Sequence, residues 1–216
     1  MGENKDRRQL TAAELRRKEN FERISEEMVD KGYTRTDLTV SIMQANVVGI
    51  LMTLPIIAVI VAGFILVNRS RGSIPVLPWP DSLNLVLFLV SFVIFVFAHE
   101  GIHGLCWSFG AANGLKDIEF GFVAKMLTPY CTCKVPLRRP VYITGTLMPM
   151  TLLGIIPSVI SIFIGHPYIL LAFLVQIVAG AGDLLIVISL LRHKTACKDI
   201  IVLDHPYECG LVLFEK

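Results

Sequence analysis

Long stretches of this sequence have almost no charged side chains. From Val141 to Leu191, the only Asp, Glu, Lys or Arg residue is Asp183. The chain is 54% hydrophobic and its mean hydropathy is +0.64. So little charge over such lengths excludes an ordinary water-soluble domain and predicts an integral membrane protein that crosses the bilayer several times.

The beginning of the chain lacks the pattern of a cleavable signal peptide, because residues 1–40 are polar and the first apolar run begins near Ile42. Residues 1–40 carry nine Lys or Arg and nine Asp or Glu residues. Such balanced charge argues against a nucleic-acid partner. The five cysteines have no regular spacing, which argues against a secreted disulfide scaffold and favours reduced thiols.

Four apolar segments are each long enough to cross about 30 Å of hydrocarbon as a helix. They are residues 42–67, 83–107, 141–164 and 168–191. Lys and Arg are concentrated in the loop 108–140 and the tail 192–216, whereas the opposite side has only Arg69 and Arg71. The positive-inside rule therefore predicts that both termini and this loop lie in the cytoplasm.

The segments outside the spans predict smaller elements. Residues 1–40 are expected to contain a charged helix from Thr11 to about Lys31, either packed on a surface or solvated. Within the membrane domain, residues 41–216, the loop 108–140 shows the alternation typical of a β-hairpin. Two runs in the tail, 200–203 and 211–214, could add short strands.

The expected fold class is therefore an all-α polytopic membrane protein. It has four transmembrane helices, a small cytoplasmic β-hairpin and an N-terminal surface helix. The lipid bilayer is its first expected partner.

The sequence His99-Glu100-Gly-Ile-His103 lies within the second apolar segment. Two His residues four positions apart project from one face of a helix and can reach one Zn²⁺ ion at about 2.0–2.1 Å. Glu100 can act as general base toward a zinc-activated water, as the H-E-x-x-H pattern implies. Because ionisable side chains are costly in hydrocarbon, a chance occurrence of the pattern is disfavoured here.

Asp183 is the candidate for a third metal ligand. His99 lies 16 residues after Leu83, and Asp183 lies 15 residues after Tyr168. At about 1.5 Å per residue, both lie roughly 23–24 Å from the outer boundary and are level with one another. A single intramembrane Asp can instead be a structural hydrogen-bonding residue or a proton-relay group, so this alternative stays open.

Other motifs have competing interpretations. Cys106 shares the helix face of His99 and could be a soft ligand, but a small buried residue is favoured. Cys131-x-Cys133 could bind metal, although ordinary strand cysteines are favoured. Asp204-His205-Pro206 could approach the site from the cytoplasm, but no role for this motif follows from the sequence.

Together these motifs resemble those of the small zincin-type membrane peptidases, a family long labelled only as a domain of unknown function. The chain is more distantly similar to the site-2 proteases, which are intramembrane zinc metalloproteases. The resemblance covers about residues 32–214 and rests on His99-Glu-x-x-His-Gly, Pro129-Tyr-Cys131, Gly182-Asp183-Leu184 and Asp204-His-Pro-x-x-x-Gly210.

The resemblance implies that His99 and His103 are zinc ligands and that Glu100 is the general base. Asp183 would match the aspartate ligand that site-2 proteases supply from a later span. The chain departs from their pattern there, because it has Gly182-Asp183-Leu184 where Leu-Asp-Gly is usual.

The expected function is an intramembrane zinc metalloprotease that uses Zn²⁺ to hydrolyse membrane protein or peptide segments near the cytoplasmic face. One alternative is a non-enzymatic zinc-binding membrane scaffold, or an inactive protease relative. A third hypothesis is a metal or proton transporter. It ranks last because residues 42–67 and 141–164 have few polar side chains to line a path.

Overall fold

The structure is a computed structural model that describes residues 12–72, 82–123, 128–206 and 208–216. Seven α-helices and six strands are formed by these residues. The helices are α1 (Ala12–Asp30), α2 (Ile42–Ser70), α3 (Ser82–Ser108), α4 (Arg139–Pro149), α5 (Ile156–Ile164), α6 (Pro167–Ala179) and α7 (Ala181–Arg192). The strands are β1 (Thr34–Thr39), β2 (Ile118–Val123), β3 (Thr128–Cys133), β4 (Leu137–Arg138), β5 (Ile200–Asp204) and β6 (Gly210–Glu215).

Three helical segments of the described chain are long and apolar enough to cross a membrane, namely Met43–Ser70, Ser82–Ser108 and Arg139–Ile164. Helices α6 and α7 count as a fourth span only if they are taken together, because they are bent by 43° at a break. These segments are consistent with the expected integral membrane protein. The predicted fourth span, 168–191, is not one continuous helix.

Gly180 lies at the break between α6 and α7. Glycine is a poor helix former, and a side chain at this position would lie 2.8 Å from Met150 Cβ. Close packing between neighbouring helices therefore accounts for the glycine. The chain bends at this glycine, and α7 begins as a new helix within the apolar region.

The third span is also irregular. Helix α4 continues through a π-helical stretch, Met150–Ile155, into α5. Pro149 precedes this stretch and Pro157 follows it. Proline lacks a backbone N–H and disturbs the regular α-helical hydrogen bonds. The two prolines therefore account for the wider π-helical turn between them.

The strands outside the hairpin form one antiparallel sheet in the order β1-β6-β5-β4. The predicted tail strands are present as β5 and β6, which pair with each other. Strand β1 was not predicted, because Thr34-Arg-Thr-Asp-Leu-Thr39 has a single large apolar residue and is mostly exposed. The expected all-α class therefore omitted a four-stranded sheet, which β1 completes by pairing with β6.

Helix α1 packs on this sheet. Phe21, Ile24 and Met28 are buried against Leu203, Val212 and Phe214. The predicted helix start at Thr11 lies outside the described residues.

The predicted hairpin is formed by β2 and β3, with Ile118 opposite Cys133 and Gly121 opposite Tyr130. It lies against α3 at Gly104, where an added Cβ would be 2.9 Å from Ile118 Cγ2 and 2.5 Å from Phe120 Cζ. This close approach places the hairpin directly beside the helix that carries the H-E-x-x-H sequence.

Candidate metal centre

His99, His103 and Asp183 come together between α3 and α7. Asp183 Oδ2 lies 3.0 Å from His99 Nε2 and 3.5 Å from His103 Nε2. One ligand atom from each residue lies within 4.8 Å of the other two. Bonds of about 2.0–2.2 Å to a tetrahedral ion leave ligand atoms roughly 3.3–3.6 Å apart, so the two distances from Asp183 Oδ2 lie close to those that one zinc ion needs.

The two imidazoles are oriented by α3 and its neighbours. Their spacing of four residues puts both rings on one helix face, with centroids 4.8 Å apart. His103 Nδ1 lies 3.0 Å from the carbonyl oxygen of Gly145, to which its N–H donates. This bond leaves the lone pair on Nε2, the atom that faces Asp183, and such an arrangement is common behind metal-binding histidines.

An aromatic stack supports His103. Its ring lies on Trp107, with centroids 5.0 Å apart, and Trp107 lies on Tyr142, with centroids 5.5 Å apart. The Trp107 indole N–H donates to the Tyr142 carbonyl at 3.2 Å. Gly145 makes this contact possible, because any side chain there would collide with Trp107.

Asp183 lies in the first turn of α7 because the helix restarts at Ala181. The unpaired N–H groups of a helix N-terminus carry partial positive charge and stabilise a carboxylate. Helix α2 fixes this turn, since an added Cβ at Gly49 would be 2.6 Å from the Ala181 carbonyl oxygen. The break that the sequence did not predict thus gives Asp183 a favourable electrostatic setting inside an apolar segment.

The donor set fits zinc. His99 is 8% exposed and His103 is 4% exposed, and two imidazoles with one carboxylate form a ligand set that zinc commonly uses. Within the described part of the chain, His99 Nδ1 is buried without a hydrogen-bond partner. The polar contact of this ring is therefore made through Nε2, which points at Asp183.

Glu100 lines the same cavity as the three candidate ligands, and this cavity has a volume of about 440 Å³. Its carboxylate interacts with the backbone amide of Cys131 on β3. The cavity is also lined by Arg17 of α1, by residues 129–132, and by residues 204–206, 208 and 210 at the ends of β5 and β6 and in their connection. The cavity therefore lies between apolar helices and strands that fold outside them.

Strand β3 turns one backbone edge away from β2. Lys134 N–H donates to the Asp117 carbonyl across the hairpin, whereas Cys133 N–H donates to Asp204 Oδ2 at 3.1 Å. Since backbone groups alternate in direction along a strand, those of Pro129 and Cys131 also point away from β2. Proline is tolerated at such a position because no ladder bond needs its N–H.

Asp204, whose role the sequence left open, lies at the end of β5 and lines the cavity. Its carboxylate also accepts hydrogen bonds from Thr132 Oγ1 at 2.8 Å and from the Tyr142 hydroxyl at 2.7 Å. Burial raises the pKa of Asp204, while these hydrogen bonds oppose the rise.

The cysteines lie outside the three-residue group identified among the described residues. Burial raises the pKa of the Cys131 thiol, and it raises the pKa of the Cys133 thiol to about 11. A thiol must lose its proton to bind metal well. Both residues lie on β3, in keeping with the strand cysteines that the sequence favoured.

The fold and the site together define a mostly helical protein whose apolar helices are long enough to cross a membrane and carry a His-His-Asp group that could hold a metal ion. Residues 91–198, half of the chain, match the model of a family described as "Putative zincin peptidase". The chain belongs to this family, and the family description implies zinc and metallopeptidase activity. No curated protein and no solved structure matches the chain.

Proposed function

We propose that this protein is an intramembrane zinc metalloprotease in which His99, His103 and Asp183 hold Zn²⁺ and Glu100 is the general base. The observation that carries the proposal is the convergence of three ligand atoms within 4.8 Å on two apolar helices. Glu100 lines the same cavity. The family description supports a peptidase.

Each side chain has a defined task in this mechanism. A zinc ion bound at the site would polarise a peptide carbonyl and lower the pKa of a water molecule. Glu100 accepts the proton of the attacking water on a carboxylate oxygen and delivers it to the nitrogen of the departing amine. The Cys131 amide interacts with this carboxylate, and both residues line the cavity.

The substrate is proposed to bind as an added strand on β3. Pro129 and Cys131, whose backbone groups point away from β2, both line the cavity. Strand addition satisfies the backbone groups of an extended peptide. A membrane segment must unwind locally to bind in this way. Residues of such a strand would pass directly by Glu100.

The active site is proposed to lie near the cytoplasmic face, with both termini in the cytoplasm. The support is the concentration of Lys and Arg in residues 108–140 and 192–216. Water can then reach the cavity without crossing the whole bilayer.

Zinc content and cleavage, measured on the same purified variants, test the proposal. We expect wild-type protein to bind about one zinc ion per chain, and His99→Ala to lose it. Glu100→Gln should keep the zinc but cleave at least about 100-fold more slowly, because a general base is removed. Glu22→Gln, which changes an exposed carboxylate on α1, is the matched control and should behave as wild type.

Two results would contradict the protease. If the wild-type protein binds no zinc, the proposed metal centre is ruled out. If Glu100→Gln cleaves the substrate at the normal rate, Glu100 is not the general base. Retained zinc without cleavage of membrane segments would favour the alternative, a zinc-binding scaffold or an inactive relative.

A further inference from the structure

The Asp204 carboxylate joins three elements that are distant in sequence. Oδ2 accepts hydrogen bonds from Thr132 Oγ1 and from Cys133 N–H on β3, and Oδ1 accepts one from the Tyr142 hydroxyl on α4. Asp204 itself ends β5. Hydrogen bonds to a charged acceptor are about twice as strong as neutral ones, so this group fixes the position of β3.

One of these bonds occupies a backbone group that an added strand would need. Cys133 N–H lies on the outward edge of β3, the edge that also carries Pro129 and Cys131. Cys131 N–H, the previous amide on that edge, interacts with the Glu100 carboxylate. On this edge, the Cys131 amide therefore faces the candidate general base, and the amide two residues later is held by Asp204.

We infer that Asp204 sets the register of the substrate and thereby selects the peptide bond that is cut. This inference rests on the proposed function. A strand that slips by one residue turns its side chains to the wrong face, so the next equivalent register is two residues away. Pairing in that register needs Cys133 N–H, which Asp204 already holds.

The same group links the strand edge to a metal ligand. Tyr142, which donates to Asp204, stacks on Trp107 at 5.5 Å, and Trp107 stacks on His103 at 5.0 Å. Tyr142 and Trp107 thus connect the edge of β3 to the His103 imidazole through direct contacts. Asp204 acts as a positioning residue, since it works through β3 and does not touch the reacting atoms.

The test maps the cleaved bonds of one membrane peptide by mass spectrometry. Wild-type protein should cut mainly at one bond. Asp204→Ala frees Cys133 N–H, so the share of product cut two residues away should rise roughly tenfold, as expected for the removal of one hydrogen-bonded competitor. Asp204→Asn keeps an acceptor oxygen for Cys133 N–H and should retain the wild-type bond.

Two further variants separate register from stability. Tyr142→Phe removes one hydrogen bond to the Asp204 carboxylate but leaves Cys133 N–H bonded to that carboxylate. This variant should therefore keep the single cleavage site. If Asp204→Ala does not fold, Asp204→Ala combined with Thr132→Val and Tyr142→Phe removes the donors that would be left unpaired. This triple variant should show the shifted bond.

A binding measurement gives a readout that does not depend on activity. In the Glu100→Gln background, the peptide carries a photoreactive residue at successive positions and is crosslinked to β3. We expect one crosslinking register with Asp204 and a second register, two residues away, with Asp204→Ala.

An unchanged register and an unchanged cleavage pattern would overturn the inference while leaving the protease intact. If the wild-type protein neither cleaves nor binds peptides, the proposed function fails and the inference fails with it.

Discussion

The Cys133 thiol shows how strongly a single residue depends on its surroundings. It is 3% exposed, and burial raises its pKa to about 11. A free thiol in the unfolded chain has a pKa near 8.5. The folded protein therefore holds this proton more tightly than the unfolded chain does. The contribution of the protonated thiol to the free energy of unfolding is fully present below about pH 8.5 and is lost as pH rises toward 11.

We predict that Cys133→Ala reduces the alkaline loss of stability. Between about pH 8.5 and pH 11, ionisation of this thiol should lower the free energy of unfolding of the wild-type protein by roughly 2–3 kcal/mol, and the variant should not show this decrease. Thermal unfolding at pH 8 and at pH 10.5 measures the difference. Val202→Ala, a neighbour in the same core, should lower stability equally at both pH values. An identical pH response in Cys133→Ala and wild type would refute the prediction.

Single residues of the site differ in how far the sequence predicted them. His99 and His103 were predictable because residues four apart on a helix always share a face. Asp183 was predictable because charge is so scarce around it. The partner of His103, the Gly145 carbonyl, was not, because that contact depends on how α3 and α4 pack across 42 residues of sequence.

Whole elements were predicted where a local pattern is strong. The hairpin and the tail strands alternate clearly, and the apolar helices are long. Strand β1 has no such pattern, since the backbone of β6 rather than an apolar face holds it in place. The break at Gly180 was also missed, because a glycine within a long apolar run is a weak local signal, and its close packing on Met150 is visible only in the structure.

Helix α1 is expected to be an integral part of the fold. Phe21 is 6% exposed and packs in one cluster with Leu203, Val212 and Phe214. Phe21→Ala should therefore lower the free energy of unfolding by about 3–5 kcal/mol, the usual cost of a large cavity. Chemical denaturation in detergent measures this change.

The matched control for α1 is Leu15→Ala on the same helix, where the side chain is 47% exposed. This change should alter stability by less than about 0.5 kcal/mol. Equal effects of Phe21→Ala and Leu15→Ala would mean that α1 does not pack on the sheet.

At the scale of the whole molecule, the proposed orientation makes a simple prediction. In intact cells, a membrane-impermeant maleimide should label Arg71→Cys, because Arg71 lies beyond the end of α2 and the proposed orientation puts that end outside. Cys197, in the segment after α7, should be labelled only after the membrane is permeabilised, because positively charged segments stay in the cytoplasm. The reverse labelling pattern would invert the proposed topology.

The distance in sequence between the candidate ligands also has a consequence for biosynthesis. Asp183 is made 80 residues after His103, which at about 5–20 residues per second takes roughly 4–16 s. During that interval, the nascent chain has both imidazoles but lacks their carboxylate. Strand β6, which closes the sheet on β1, emerges from the ribosome later still. If the proposed protease forms its site from these three ligands, we therefore expect a growing chain to have no proteolytic activity until Asp183 has been synthesised.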